Sequence, residues 1–270
     1  MSRHKLLRSR INATVAALAI LFLYLPIVTL LVLSFNDNDL TTIWTTVSGK
    51  WYLAVLQNGD ILRATKNSLM VACAATFFAT CMATLAALGM VRISRGPRVL
   101  LEGLLGLPLL VPEIVTAVAL LILFVLIGFP LGLTSVTVAH TVFCIPFAYY
   151  PIKSRLAALD QSLLEAASDL YASPRRRFFR VELPLLSSGI CAGALLAFIS
   201  SLGDFVITYF VAGPGATTLP IYIFSLIRLG VTPEVNALSA IFLFASIVMI
   251  SIAFVLLQSI SEQKKPKGGA

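Results

Sequence analysis

EAASDLYASPRRRFFRVELP, residues 165–184, is the most polar stretch inside a chain that otherwise reads as membrane. Why such a chain breaks off to make a compact, basic helix-turn-helix between two hydrophobic spans depends on where the spans lie. The 270 residues are 59% apolar and 12% charged, with a mean hydropathy of +0.96. Soluble domains carry roughly twice that share of charge, so this is an integral membrane protein. Apolar runs long enough to cross a bilayer, about 20 residues each, fall near 11–35, 67–91, 100–127, 135–152, 187–212 and 237–258. The expected fold is an all-α bundle of six transmembrane helices in a single domain, 1–270, with cytoplasmic helices at about 155–184 between the fourth and fifth spans.

The first run is preceded by Arg3, Lys5, Arg8 and Arg10. It is too long for a signal-peptide core and no clear small-x-small cleavage site follows it, so it reads as a retained helix. With the N-terminus in the cytoplasm, 16 of the 20 Lys and Arg residues lie on that side, which the positive-inside tendency favours. Both termini and the quoted stretch are then cytoplasmic. The net charge of +8 is mostly topology: no basic groove with interleaved aromatics suggests nucleic acid.

Within and just before the quoted stretch, Leu156, Leu159, Leu163, Ala166, Ala167 and Leu170 recur at three and four. They predict one amphipathic helix from Arg155 to Leu170, with Glu165 on its wet face. A break is expected over Tyr171 to Ser173, since the residue before a proline avoids the helical region. Ser173 and Pro174 read as N-cap and first residue of a second short helix, ending at Pro184. Arg175, Arg176 and Arg177 in its first turn have the wrong sign for the helix dipole. An acidic neighbour, lipid phosphate or a partner protein, is the expected reason for them.

Two acids stand inside spans, Glu113 in the third and Asp204 in the fifth. Intramembrane carboxylates cost a few kcal/mol and face a cavity or a partner. They read either as attractors of a cationic solute, with Phe205 and Tyr209 beside them offering cation–π contact, or as packing against a cation or helix N-terminus. His140 reads as a hydrogen-bonded packing residue. Cys73, Cys81, Cys144 and Cys191 lie within spans without metal-ligand spacing, and read as packing residues. Trp44, Trp51 and Tyr52 fit an interfacial belt or a docking surface equally well.

Glu165-Ala166-Ala167, then Asp169-Leu170-x-Ala172-Ser173, a Phe at 178 or 179 and Leu183-Pro184 resemble the EAA loop of the permease subunits of bacterial ABC importers. The resemblance covers almost the whole chain. Segments such as SFNDND, PEIVTAVALLILFVLIG, SLGDF and GPGATTLPIYIFSLIRLGVTPEVNALSAI are similar to the second permease subunit of spermidine/putrescine importers. The resemblance implies a type I importer permease in the bacterial inner membrane, whose loop residues Glu165, Ala166, Ala167, Asp169, Leu170, Tyr171, Ala172 and Ser173 dock on the ATPase. It implies as partners a dimer of ATP-binding subunits, a second homologous permease and an extracytoplasmic substrate-binding protein, beside membrane lipid. One departure is Tyr171, where the family usually has glycine; if its φ is positive, the tyrosine costs on the order of 1 kcal/mol or more.

No G-x-x-x-x-G-K-[ST] phosphate loop occurs, and SGKW at 48–51 lacks the flanking glycine and the hydroxyl after lysine. The chain is thus expected to be no enzyme and to hold no cofactor, ATP and Mg residing on the partner. Alternatives are a permease for another amine or amino-acid-like substrate, or an ion-coupled secondary carrier, which would not need the EAA loop. An intramembrane serine protease is poorly matched, because Ser187, Ser188 and Gly189 lie near the membrane surface and His140 stands alone.

Overall fold

The computed structural model describes residues 3–39, 43–171, 173–230 and 232–262. Among them it is helical, apart from an isolated bridge between Asn36 and Val47. The long helices are α1 (Arg3–Leu33), α3 (Gly59–Met90), α6 (Leu133–Ala157), α9 (Leu183–Gly203) and α12 (Pro233–Glu262). Shorter ones are α2 (Lys50–Gln57), α4 (Arg95–Leu110), α5 (Glu113–Leu126), α7 (Gln161–Asp169), α8 (Pro174–Arg177), α10 (Val206–Val211) and α11 (Leu219–Leu229). Among the described residues, five helices are long and apolar enough to cross a membrane, and the spans number six if the bent pair α4–α5 is counted as one.

Two expected spans are broken. The run 100–127 bends by 107° between α4 and α5, because Val111 before Pro112 is held extended at φ −79° and ψ 134° and proline cannot donate into the preceding turn. The run 187–212 stops at Gly203; Asp204 is extended, with φ −67° and ψ 128°, and α10 starts anew at Val206. Each break places an acid at or just before the start of the next helix.

The chain forms two compact units, Met1–Leu62 with Ile223–Ala245, and Arg63–Tyr222 with Ser246–Ala270. In the first, the turn after α1 is organised by the buried Asn36. Its amide donates to the Ile43 carbonyl at 2.8 Å and accepts from the N–H of Thr45 at 3.3 Å, while its carbonyl accepts from Trp51 Nε1 at 2.9 Å. Trp51 is therefore a structural element of this turn. Asn58 Nδ2 donates to Glu234 at 3.3 Å in the same unit.

In the second unit, the most extensive helix pair is α6 on α9. Small residues permit it: a Cβ at Gly193 would lie 2.6 Å from the Ala148 carbonyl oxygen, and one at Gly189 would lie 2.6 Å from Arg155 Cβ. Ala79, Ala83 and Ala87, one turn apart on α3, join Cys144, Ala148, Ile152 and Ala197 in one fully buried cluster. In lipid the apolar solvent offers no hydrophobic drive between helices, so close van der Waals approach of such small-residue faces holds them together.

Candidate functional site

Two regions bring the sequence's candidate residues together, and the first is the EAA stretch. The single amphipathic helix expected from Arg155 to Leu170 is instead two, since α6 ends at Ala157 and α7 begins at Gln161. Asp160 makes the break: its side chain accepts from the Ser162 N–H at 3.0 Å, a local cap that competes with continued helix. Those Ser162 hydrogen bonds, the backbone one foremost, hold the Asp160 carboxyl below its ordinary range. The apolar stripe is divided accordingly. Leu156 and Leu159 pack inward, while Leu163 and Leu170 are exposed.

Glu165 and Asp169, one turn apart on α7, are exposed and line a cavity of about 660 Å³ with Arg92, Arg98, Lys153 and Arg177. Ala167 is half-buried. Ala172 lies outside the described residues, as does the Ala166 side chain. Tyr171 does have positive φ, 53°, with its side chain 97% exposed beside Leu170 at 82%. Ser173 caps α8 as expected, accepting from the Arg176 N–H at 3.4 Å, with Pro174 in the first turn.

The second helix does not stop at Pro184. It passes through a π turn, Phe178–Glu182, directly into α9. The Leu183 N–H reaches back five residues to the Phe178 carbonyl, and this shift of register places Pro184 in the first turn of the new helix, where a missing N–H is tolerated. Of the three arginines, Arg177 is answered within the chain, by Glu182 at 3.0 Å; Arg175 and Arg176 are exposed.

The second region lies at the helix breaks. Glu113 opens α5 and Asp204 precedes α10, and α5 packs against α10. Both acids line one cavity of about 320 Å³ walled by Phe143, Phe147 and Phe205, with Ser200 alongside, and their side chains interact. The two differ in access: Glu113 is half-buried, whereas Asp204 is 5% exposed. Asp204 Oδ1 accepts from the Thr208 N–H at 2.9 Å and hydroxyl at 3.0 Å, so the carboxylate satisfies the otherwise orphaned donors at the start of α10. The Phe205 and Tyr209 rings are in contact, with centroids 5.4 Å apart and planes tilted by 37°; Phe205 lines the cavity, whereas Tyr209 is exposed.

Residues that sequence reasoning did not join to this site are His140, Ser201 and Thr208. His140 is hydrogen-bonded, and its Nε2 lies 3.1 Å from Asp204 Oδ1. A shared polar character of these residues gives no pairing signal across 61 to 68 positions. A further polar cluster unites Glu102 of α4 with Arg98 at 3.1 Å, Lys153 of α6 at 2.8 Å and the Tyr149 hydroxyl at 3.2 Å.

Residues 79–265 match the family described as the inner membrane component of binding-protein-dependent transport systems. The chain is 38% identical over 276 residues to the putrescine transport system permease protein PotI of Escherichia coli, covering 98% of this chain and 96% of that one. It is also 38% identical over 229 residues to the spermidine/putrescine transport system permease protein PotC of the same organism, covering 85% and 87%. Its fold is similar to a chain of a bacterial ABC transporter involved in alginate import, with a TM-score of 0.71 at 17% identity and 97% coverage of each. A chain of the MetNI methionine ABC transporter aligns with a TM-score of 0.63 over 74% of this chain and 95% of that one. With the family match over most of the chain, and relatives of this identity along nearly all of it, this multi-pass membrane chain belongs to the family of inner membrane components of binding-protein-dependent transport systems.

Proposed function

We propose that this chain is a permease subunit of an ATP-driven importer of polyamines such as putrescine and spermidine. The observation that carries the reading is the pair of carboxyls, Glu113 and Asp204, at two helix breaks on one aromatic-walled cavity. Acids offset the desolvation of an ammonium group, and a nearby ring face adds about 0.5–2 kcal/mol of cation–π attraction. The substrate class named for relatives 38% identical to the chain agrees with this chemistry. Glu113, the more accessible acid, meets the ammonium first, and Asp204 backs it, with Phe205 and Tyr209 as the aromatic flank.

Energy enters through residues 165–173, which dock on a dimer of ATP-binding subunits carrying ATP and Mg. A second homologous permease completes the membrane part, and an extracytoplasmic binding protein delivers substrate to the side opposite the loop. Both termini lie in the cytoplasm. The test is uptake of labelled putrescine and spermidine by vesicles containing the full complex. Asp204→Asn is expected to lower uptake severely, and Glu113→Gln to a smaller extent, while the ATP-binding subunits still co-purify. Normal uptake by Asp204→Asn removes the residue from the path, and lost co-purification makes it a structural residue.

A further inference from the structure

We propose that His140 is a positioning residue that divides the Asp204 carboxylate into an anchored oxygen and a working oxygen. This rests on the reading of Asp204 as part of the substrate path. His140 stands on α6 and is 1% exposed. Its ring reaches two other helices and the break between them: Nδ1 is 2.8 Å from Ser201 Oγ on α9, and Nε2 is 2.8 Å from Thr208 Oγ1 on α10 and 3.1 Å from Asp204 Oδ1.

The proton on the ring follows from the hydroxyl inventory. Thr208 has one hydroxyl proton, and it goes to Asp204 Oδ1 at 3.0 Å. Thr208 Oγ1 can then only accept from His140, so Nε2 carries a hydrogen, while Nδ1 pairs with the Ser201 hydroxyl. Asp204 Oδ1 thereby accepts from the Thr208 N–H and the Thr208 hydroxyl, and shares the single Nε2 hydrogen with Thr208 Oγ1. Oδ2 has a long backbone partner, the Ile207 N–H at 3.4 Å, and the Glu113 side chain interacts with the same carboxylate from the cavity side.

An oxygen with two full donors and a share of a third has no lone pair to spare for a substrate, whereas Oδ2, with only a stretched backbone donor, retains acceptor capacity toward the cavity that Glu113 also lines. The imidazole thus orients the carboxylate, just as the second layer of groups around a bound ion orients its ligands. It also ties α6 to both sides of the α9–α10 break, so the working oxygen is held on packed helices rather than on a loop.

The experiment compares His140→Leu and His140→Gln with Asp204→Asn in the complete reconstituted transporter, reading putrescine uptake per assembled complex together with the thermal midpoint of that complex. The expected result is a loss of tenfold or more for His140→Leu at an unchanged midpoint and unchanged assembly, with His140→Gln recovering a substantial part because its amide restores a donor. Impaired Asp204→Asn with wild-type His140→Leu overturns the positioning role, as does a glutamine variant no better than leucine. A loss that follows reduced assembly or a lowered midpoint makes His140 a packing residue and also overturns it. Wild-type uptake by Asp204→Asn instead removes the path reading itself.

Discussion

Tyr171 holds φ at 53° with its ring 97% exposed. A non-glycine residue in this region costs about 1–2 kcal/mol, and an exposed ring recovers none of that by packing within the chain. Replacement by glycine relieves the strain but returns about 0.4–1 kcal/mol through the freer unfolded chain. Tyr171→Gly is therefore expected to leave the thermal midpoint unchanged or slightly raised. If the phenol is used by the ATPase, the same variant weakens capture of that subunit several-fold; equal capture would show that no partner contact is made. Tyr171→Asn, which tolerates positive φ, separates loss of the ring from a change of turn. The question of a positive φ was raised by the glycine the family usually has at this position, and the exposure of the ring was not legible, since it depends on which way α7 leaves α6.

Among the elements, α7 is the clearest lever on coupling. Glu165→Arg, or proline at Ala167 in mid-helix at a cost of about 3 kcal/mol, is expected to leave membrane insertion intact, because the spans that set it lie elsewhere. Binding of the ATPase should loosen and uptake should disappear; wild-type uptake at normal expression would refute the docking role. Asp160 gives α7 a pH signature. Its carboxyl is held below the ordinary 3.8, so its contribution to the helix is fully present above that value and is lost as pH falls through the lower folded one. Asp160→Ala should speed amide exchange at the start of α7 at neutral pH, and the difference from wild type should vanish in strong acid.

The α6–α9 pair tests packing: Gly193→Ala brings a methyl within 2.6 Å of the Ala148 carbonyl oxygen. Overpacking of this kind costs about 1–3 kcal/mol, which should appear as a lowered thermal midpoint in detergent. The element pattern was legible where periodicity ran unbroken, as in α3, α6 and α12. It misled at 100–127, 155–170 and 184, where Pro112, Asp160 and the π turn before Pro184 each change the hydrogen-bond ladder by a local geometry that hydropathy does not register.

At the scale of the whole molecule, the charge asymmetry predicts its orientation. In a background without its four cysteines, Ser48→Cys should react with a membrane-impermeant maleimide added to intact cells, and Ser94→Cys only after the membrane is opened; the reverse pattern would invert the topology. Membrane class, the apolar helical spans and the place of the EAA stretch between them were legible in the sequence itself, and the orientation is its prediction. Hydropathy over twenty residues and Lys/Arg bias act locally along the chain, and a motif in register is by nature linear. What only the tertiary structure decided is the site. Glu113 and Asp204 are 91 positions apart and share a cavity because two breaks bring α5 against α10. His140 joins Asp204 because glycines and alanines let α6 approach α9. Side-chain pairing across helices depends on their mutual rotation and approach, and those are fixed by packing in three dimensions, not by the order of residues in any one span.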